Sequence, residues 1–488
     1  MSRLDICVVL LGLVYAVMWT FSLLGVNGLP GWFFFTHQDR SLGPAFFALV
    51  AGFGPWIVRS ALSSAAVGKT VRALGLLILV GASAQFTLHY LLPDGLEQSF
   101  GRLYGGHGKF LRVASARRGQ LLATLRDYEA LIAADQLGPY AASKGPGTLG
   151  FYMLVDQASQ WQPVRSLLAP LVEATRASRY VQPVAEPAAF VLVLFPLLSF
   201  LTLLPLGWLA ATLLDDARAG VHAGLLYLSA PGIMLIDLHL DGALYPLLGI
   251  GCIALAVAGV RGQRPLLGFL GGALGSLGVY CTFGLVPCVA LALVFAAITA
   301  AQAGLSLRPG DEPGAPWRRL TVRDARPLLA VGSFVLGLGL SLLSLHTLLN
   351  YAPLTRFVRA MAFHEAWKAD VPKALWRLLS LLEFGLYAGM PLMLALVALA
   401  GGAVLRVSRR PLELRAWWAL AVLLLLLTLA LLQGTNEVGR IWLFMIPLIA
   451  LAVAGRLGES RDTAERSVCI LAAVQAGLTV LMKVRQLW

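Results

Sequence analysis

The residues best suited to chemistry in this chain are a few acids and cations at the ends of long apolar blocks. Asp94 and Glu97 directly follow the block 71–92, and Asp237-Leu238-His239-Leu240-Asp241 separates the blocks 220–237 and 242–260. His364-Glu365 lies in the polar stretch 351–379, and Glu437 and Arg440 occupy the turn Thr435-Asn436-Glu437-Val438-Gly439-Arg440. Ionisable groups at membrane depth are costly, so several of them at block ends ask for a reason. A carboxylate so placed can remove the proton of an attacking hydroxyl. Neighbouring cations, or a metal, can stabilise a departing phosphate. If a metal takes part, the oxygen ligands of Asp237 and Asp241 suit Mg²⁺ or Mn²⁺. Each residue also has a plainer role. Pro93-Asp94-Gly95 is a common turn sequence, Asp237 and Asp241 fit a turn, His107 fits a loop, and Glu437 and Arg440 could simply pair with each other.

The elements that must position these groups follow from composition. Of 488 residues, 58% are hydrophobic and only 13% charged, too little polar surface for a water-soluble fold of this length. The apolar residues form blocks near the roughly 20 residues that a helix needs to cross about 30 Å of hydrocarbon. Blocks at 4–26, 43–66, 71–92, 188–213, 220–237, 242–260, 265–281, 284–303, 327–350, 380–403, 416–433, 440–456 and 468–483 predict an all-α polytopic membrane protein of about thirteen transmembrane helices. Weak alternation and abundant Leu and Ala argue against a barrel. The net charge of +13 fits basic cytoplasmic loops rather than nucleic-acid binding. Five cysteines, all within apolar segments, show neither metal-ligand spacing nor a disulfide framework. The start of the chain reads as an uncleaved first span. Arg greatly outnumbers Lys, as in GC-rich bacterial genomes.

With the N-terminus cytoplasmic, the short cytoplasmic loops carry roughly twice as many Lys and Arg as the short loops and tail of the opposite side, the long segment 93–187, which such a rule does not govern, being left out. That orientation puts 93–187 and 351–379 outside. Within 93–187, Leu121 to Ala134 and Pro163 to Arg176 have the spacing of helices lying in the interface, and Trp161 and Tyr180 could anchor them at headgroup depth. Thr282-Phe283-Gly284 predicts a tight turn between the seventh and eighth spans.

This layout resembles the GT-C superfamily, integral membrane glycosyltransferases that use polyprenyl-phosphate-linked sugars. The block 71–92 would be the first core helix and 93–187 its long external loop with interfacial helices. The turn Asp237–Asp241 falls in the second external loop, and 351–379 follows the seventh core helix. Lys144-Gly145-Pro146-Gly147 before Thr148-Leu149-Gly150-Phe151-Tyr152 is similar to a His-Pro-Pro-Gly motif of bacterial members, with Lys144 replacing the His and Gly145 the first Pro. Gly105-Gly106-His107-Gly108-Lys109-Phe110, with Arg126-Asp127-Tyr128 downstream, resembles the preceding loop, and Glu437 to Phe444 a late external turn. The familiar acidic pair after the first core helix is missing, and Asp94 and Glu97 are its nearest equivalents.

The resemblance implies three parts: an added hairpin (1–70), a GT-C-like core (71–350) and a C-terminal unit (351–488). It implies inverting transfer of a sugar from a polyprenyl-phosphate donor to an extracytoplasmic lipid, glycan or protein, in a bacterial cytoplasmic membrane. Asp94 would be the base, with Glu97 in reserve; Lys109, Glu437 and Arg440 would contact donor phosphate, and Asp237 and Asp241 would shape the site. Two rivals remain. An O-antigen-ligase or polymerase-like enzyme would need His107 or His364 rather than Asp94. A transporter or flippase of lipid-linked sugars would need ionisable groups or broken helices near mid-membrane. A non-catalytic assembly role is also compatible with the imperfect motifs.

Overall fold

The computed structural model describes residues 10, 14, 43–62, 67–88, 95–104, 108–176, 184–308, 319–322, 324–369, 372–407, 414–433, 437–456 and 461–485. The expected span 4–26 lies outside these apart from Leu10 and Val14, and Asp94, His107 and Tyr180 lie outside them as well. The described chain is almost entirely helical, as apolar surroundings require of a backbone that must satisfy its own hydrogen bonds. The exception is a short antiparallel ladder, Leu305–Arg308 with Arg319–Val322, in which Leu305 faces Val322.

Among the described residues, six helices are long and apolar enough to cross a membrane: Gly68–Leu88, Ala185–Leu214, Leu240–Arg261, Phe283–Ala303, Arg326–Leu349 and Ala464–Lys483. A seventh crossing is formed if the pair Lys373–Ala388 and Met390–Leu405, bent by 115°, counts as one. Four shorter apolar helices accompany them: Ala45–Ser60, Pro265–Cys281, Ala416–Leu432 and Leu443–Gly455. The protein is therefore a helical membrane protein. The expected block 220–237 is not one helix. It divides into Ala217–Leu228 and Pro231–Leu235, both buried, and 12 residues reach only about 18 Å. Pro231, which cannot donate to a preceding turn, marks the division.

The bend has a local cause. Gly389 adopts φ +90°, which glycine tolerates without steric cost, and Pro391 follows. Of the carbonyls freed at the break, that of Ala388 accepts from Gln475 Nε2 at 2.9 Å, and Gln475 Oε1 in turn accepts from Ser229 at 2.8 Å. A buried polar chain thus replaces the missing helical bonds.

Helix Pro265–Cys281 packs against Arg326–Leu349 backbone to backbone. A Cβ on Gly268 would lie 2.3 Å from the Ala330 carbonyl oxygen, one on Gly272 2.0 Å from that of Phe334, and one on Gly337 2.1 Å from that of Phe269. Small residues at helical spacing permit this approach where lipid supplies no hydrophobic drive between helices.

The long loop folds into short helices, including Gly95–Tyr104, Gly108–Ala116, Pro146–Ser159 and Gln162–Arg176. The expected helix over Leu121 to Ala134 is broken at Asp127 into Leu121–Arg126 and Tyr128–Ala133. Trp161 is largely exposed. Arg118 clamps the loop with two bonds to the buried Asp156, at 2.7 and 2.8 Å. A second clamp joins it to helix Pro353–Trp367: Arg356 and Arg359 reach the Glu129 carboxylate at 3.2 and 2.8 Å, and Arg356 also donates to the Ala142 carbonyl. The expected turn at Thr282 is present, with Thr282 Oγ1 accepting from the Gly284 N–H at 3.4 Å.

Overpacking a glycine contact costs about 1–3 kcal/mol. Gly272→Ala is expected to lose that much, and Gly332→Ala, whose Cβ meets open space, to melt like the wild type or slightly above it. Thermal unfolding in detergent measures both, and indistinguishable melting would refute the close packing.

Candidate functional site

Three stretches far apart in sequence meet around one carboxylate. Asp241 sits in the one-turn helix Leu240–Ala243, at the start of the span Leu240–Arg261, with its side chain 2% exposed. Lys144 Nζ lies 3.7 Å from Asp241 Oδ1, and Arg440 Nε 3.8 Å from Oδ2. A charge so far from water is tolerable only when paired, and here two cations flank it.

The sequence explains how each stretch arrives. Lys144 precedes helix Pro146–Ser159, whose first residue is the proline that a helix start accommodates. Gly145 and Gly147 press on the end of helix Pro265–Cys281, where a Cβ would meet the Tyr280 carbonyl oxygen at 2.1 Å and the Tyr280 ring at 2.6 Å. Thr148 then bonds the Tyr245 hydroxyl and donates to the Cys281 carbonyl, both at 2.7 Å. Tyr245 is one turn beyond Asp241, so the same bond that seats the Lys144 turn registers it against the carboxylate. Lys144 also faces the Tyr245 ring, 5.9 Å from its centroid. Arg440 belongs to the one-turn helix Val438–Ile441, entered through Glu437 at φ +72°.

Around this core lie further charges. Glu437 accepts from Arg440 at 3.0 Å and pairs with Lys368 Nζ at 3.7 Å. Three cations (Lys144, Lys368, Arg440) thus face two carboxylates (Asp241, Glu437), with Asp237 buried in the same turn as Asp241. Burial pushes the Lys144 ammonium below the usual lysine range; Asp241 opposes that shift and Arg440 adds to it. Burial, then Lys368 and Lys144, hold the His364 imidazole below its ordinary value, with Glu437 opposing, which favours its neutral form.

Of the residues expected from sequence, the structure brings Asp241, Glu437 and Arg440 together. Asp237 is buried in the same turn, and Glu97 is half-buried in the first turn of its helix. Lys109 is exposed at the rim, over the Tyr140 ring at 5.1 Å, and Tyr140 lies 5.2 Å from Trp367. Glu365 is within 4.0 Å of Lys373. Sequence reasoning did not assign Lys144 or Lys368 to the site. For Lys144 the one signal is its replacement of the motif histidine; Lys368 carries none.

The sequence offers Asp237 and Asp241 as oxygen ligands for a metal. Asp241 already faces two cations, and among the described residues no group of three or more His, Cys, Asp or Glu side chains is arranged to hold an ion.

An open, almost wholly apolar groove of about 430 Å³ runs between Leu204 and Trp208 on one span and Leu247, Gly251 and Leu255 on the next. Leu247 is six residues beyond Asp241, about 9 Å along a helix axis.

The chain matches no family model, no curated protein and no solved structure.

Lys144 is expected to lose its proton below the ordinary lysine value of 10.5, and Asp241→Asn to lower that point further by removing the attraction. The sign follows from linkage: the folded state binds fewer protons at Lys144, so its contribution to stability rises with pH toward 10.5. Mass-spectrometric titration of Lys144 with an amine-reactive reagent reads the midpoint. A midpoint at or above the ordinary value would contradict the burial of the ammonium, and one unchanged in Asp241→Asn would contradict its pairing with Asp241.

Proposed function

We propose that the protein is a GT-C-like membrane glycosyltransferase of about thirteen spans. In this reading it sits in a bacterial cytoplasmic membrane with the Asp241 cluster on the extracytoplasmic side. It moves a sugar from a polyprenyl-phosphate donor to an external lipid, glycan or protein. The observation that carries this reading is the buried Asp241, flanked by Lys144 and Arg440, at the end of a span whose side borders an open apolar groove. A cluster of three cations suits a phosphate, and an apolar groove suits the chain attached to it.

The acceptor oxygen attacks the anomeric carbon as its bond to the phosphate oxygen breaks, inverting the centre, and the proton passes to a base. Arg440, Lys144 and Lys368 would meet the charge that develops on the departing phosphate. Asp241, held between two cations, orients them. Asp94 and Glu97 remain the proposed bases, with Asp237 shaping the site and Lys109 guiding anions at the rim.

Two observations favour other readings. His364, its neutral form favoured beside the cations, suits a ligase-type enzyme that uses histidine. The 115° bend at Gly389 is a feature a transporter would have. The polar groups there are engaged by protein, however: Gln475 caps the Ala388 carbonyl and Glu383 accepts from the Gly439 N–H. A translocation site would turn such groups toward a cavity.

Sugar transfer by purified protein in nanodiscs, supplied with a panel of polyprenyl-phosphate sugars and lipid acceptors, tests this. Wild type is expected to transfer, Arg440→Gln and Lys144→Gln to lose about 10²–10³-fold, as when charge-stabilising donors are removed, and Asp94→Asn or Glu97→Gln to lose turnover. Activity that survives both acid variants but not His364→Gln would establish the ligase-type enzyme instead. Donor that crosses the bilayer unchanged would establish a transporter.

A further inference from the structure

We infer that Glu383, on the first arm of the bent helix pair, is a positioning residue that holds the Glu437–Arg440 turn and thereby sets Arg440 against Asp241. This deepens the proposed phosphate site and rests on that reading for its ligand. Glu383 is 6% exposed in a helix that is otherwise mostly apolar. Removing a carboxyl group from water is costly unless hydrogen bonds inside the protein replace those to water. Its Oε1 accepts from the Gly439 N–H at 3.3 Å, with the N–H groups of Val438 and Glu437 beside it. Its Oε2 has no hydrogen-bond partner among the described residues, so the hydrogen bonding of this side chain is directed at the turn.

The turn needs such a holder. A four-residue helix has no interior: Arg440 and Ile441 donate to the Glu437 carbonyl, both at 3.1 Å, and the Val438 and Gly439 N–H groups are those at its open N-terminus. Glu437 enters it in the left-handed region at φ +72°, which a side chain adopts only when its surroundings require it. A carboxylate below these amides fixes the peptide planes and, one residue later, the direction in which Arg440 leaves the backbone.

A second contact between the same elements supports this. A Cβ on Gly439 would fall 2.0 Å from Cδ2 of the Tyr387 ring. Tyr387 is one turn beyond Glu383 on the same face of the helix. The arm Lys373–Ala388 therefore seats the turn at two points, one polar and one steric. The bend at Gly389 lets this arm follow the turn at the end of the bundle while Met390–Val407 takes a separate direction.

The experiment uses the full-length protein in nanodiscs, with decyl phosphate as the probe. Hydrogen exchange is followed at the amides of 437–441 and binding by calorimetry. Glu383→Leu is expected to raise exchange at Val438 and Gly439 and to weaken decyl phosphate at least tenfold. Glu383→Gln, which keeps the acceptor oxygen, is expected to retain protection and most of the binding. Arg440→Gln should weaken binding without raising exchange. The double variant Glu383→Leu/Arg440→Gln should bind no more weakly than Arg440→Gln alone, because Glu383 acts through that arginine.

Should Glu383→Leu fail to fold, Gly439→Ala displaces the turn from Tyr387 while leaving the carboxylate in place, and the same two changes are expected. Unchanged exchange at 437–441 in Glu383→Leu or Gly439→Ala, or losses that add to that of Arg440→Gln, would overturn the inference. Wild type that ignores decyl phosphate yet shows the expected exchange pattern would leave the positioning role standing and remove the phosphate-site reading.

Discussion

Asp241 imposes the constraint on which this end of the bundle depends. A carboxylate with about 2% of its side chain exposed would be strongly destabilising alone, since losing its hydration costs several kcal/mol even after relaxation. Its partners are two cations from stretches 97 residues before and 199 residues after it. The Lys144 turn, the Asp241 turn and the Arg440 turn must therefore meet for any of the three charges to be tolerated. Each also has its own seat: the Lys144 turn on Tyr280 and Cys281, the Asp241 turn above Tyr245, and the Arg440 turn on Glu383 and Tyr387.

The same logic of paired burial extends outward. Arg356, with only 3% of its side chain exposed, is balanced by Glu129 and also donates to Ala142, two residues before Lys144. The helix Pro353–Trp367 is thereby tied to the long loop on one side, and Lys368 just past its end reaches Glu437 on the other. Charge pairs bind the polar end of the molecule, whereas close glycine packing binds the apolar part. The two mechanisms suit their solvents: helices gain little from burying apolar surface against one another in lipid, so contact geometry matters there. At the polar end, a charge without a partner decides the arrangement instead.

Much of the helical plan could be read from the chain because apolar run length maps directly onto a helix that crosses hydrocarbon. The blocks 71–92, 188–213, 242–260, 284–303, 327–350 and 468–483 each contain or coincide with a long apolar helix. Run length failed where burial is in protein rather than lipid. The block 220–237 is apolar enough for a span, yet it forms two short buried helices because its neighbours, not lipid, surround it. The break at Gly389 was equally invisible, since a glycine within an apolar run is ordinary in a membrane helix.

Sequence alone determined the class of the protein, the places where charge interrupts the apolar blocks, and the turns that would carry Asp241, Glu437 and Arg440. These follow from local composition, which the chain displays residue by residue. Tertiary structure alone decided that Lys144 faces Asp241, that Lys368 faces Glu437, and that Glu383 lies beneath the Arg440 turn. Those pairings join residues from 56 to 97 positions apart, and no periodicity or spacing encodes a partner at that distance. They are set by which glycines let helices approach and by the need of each buried charge to find an opposite one.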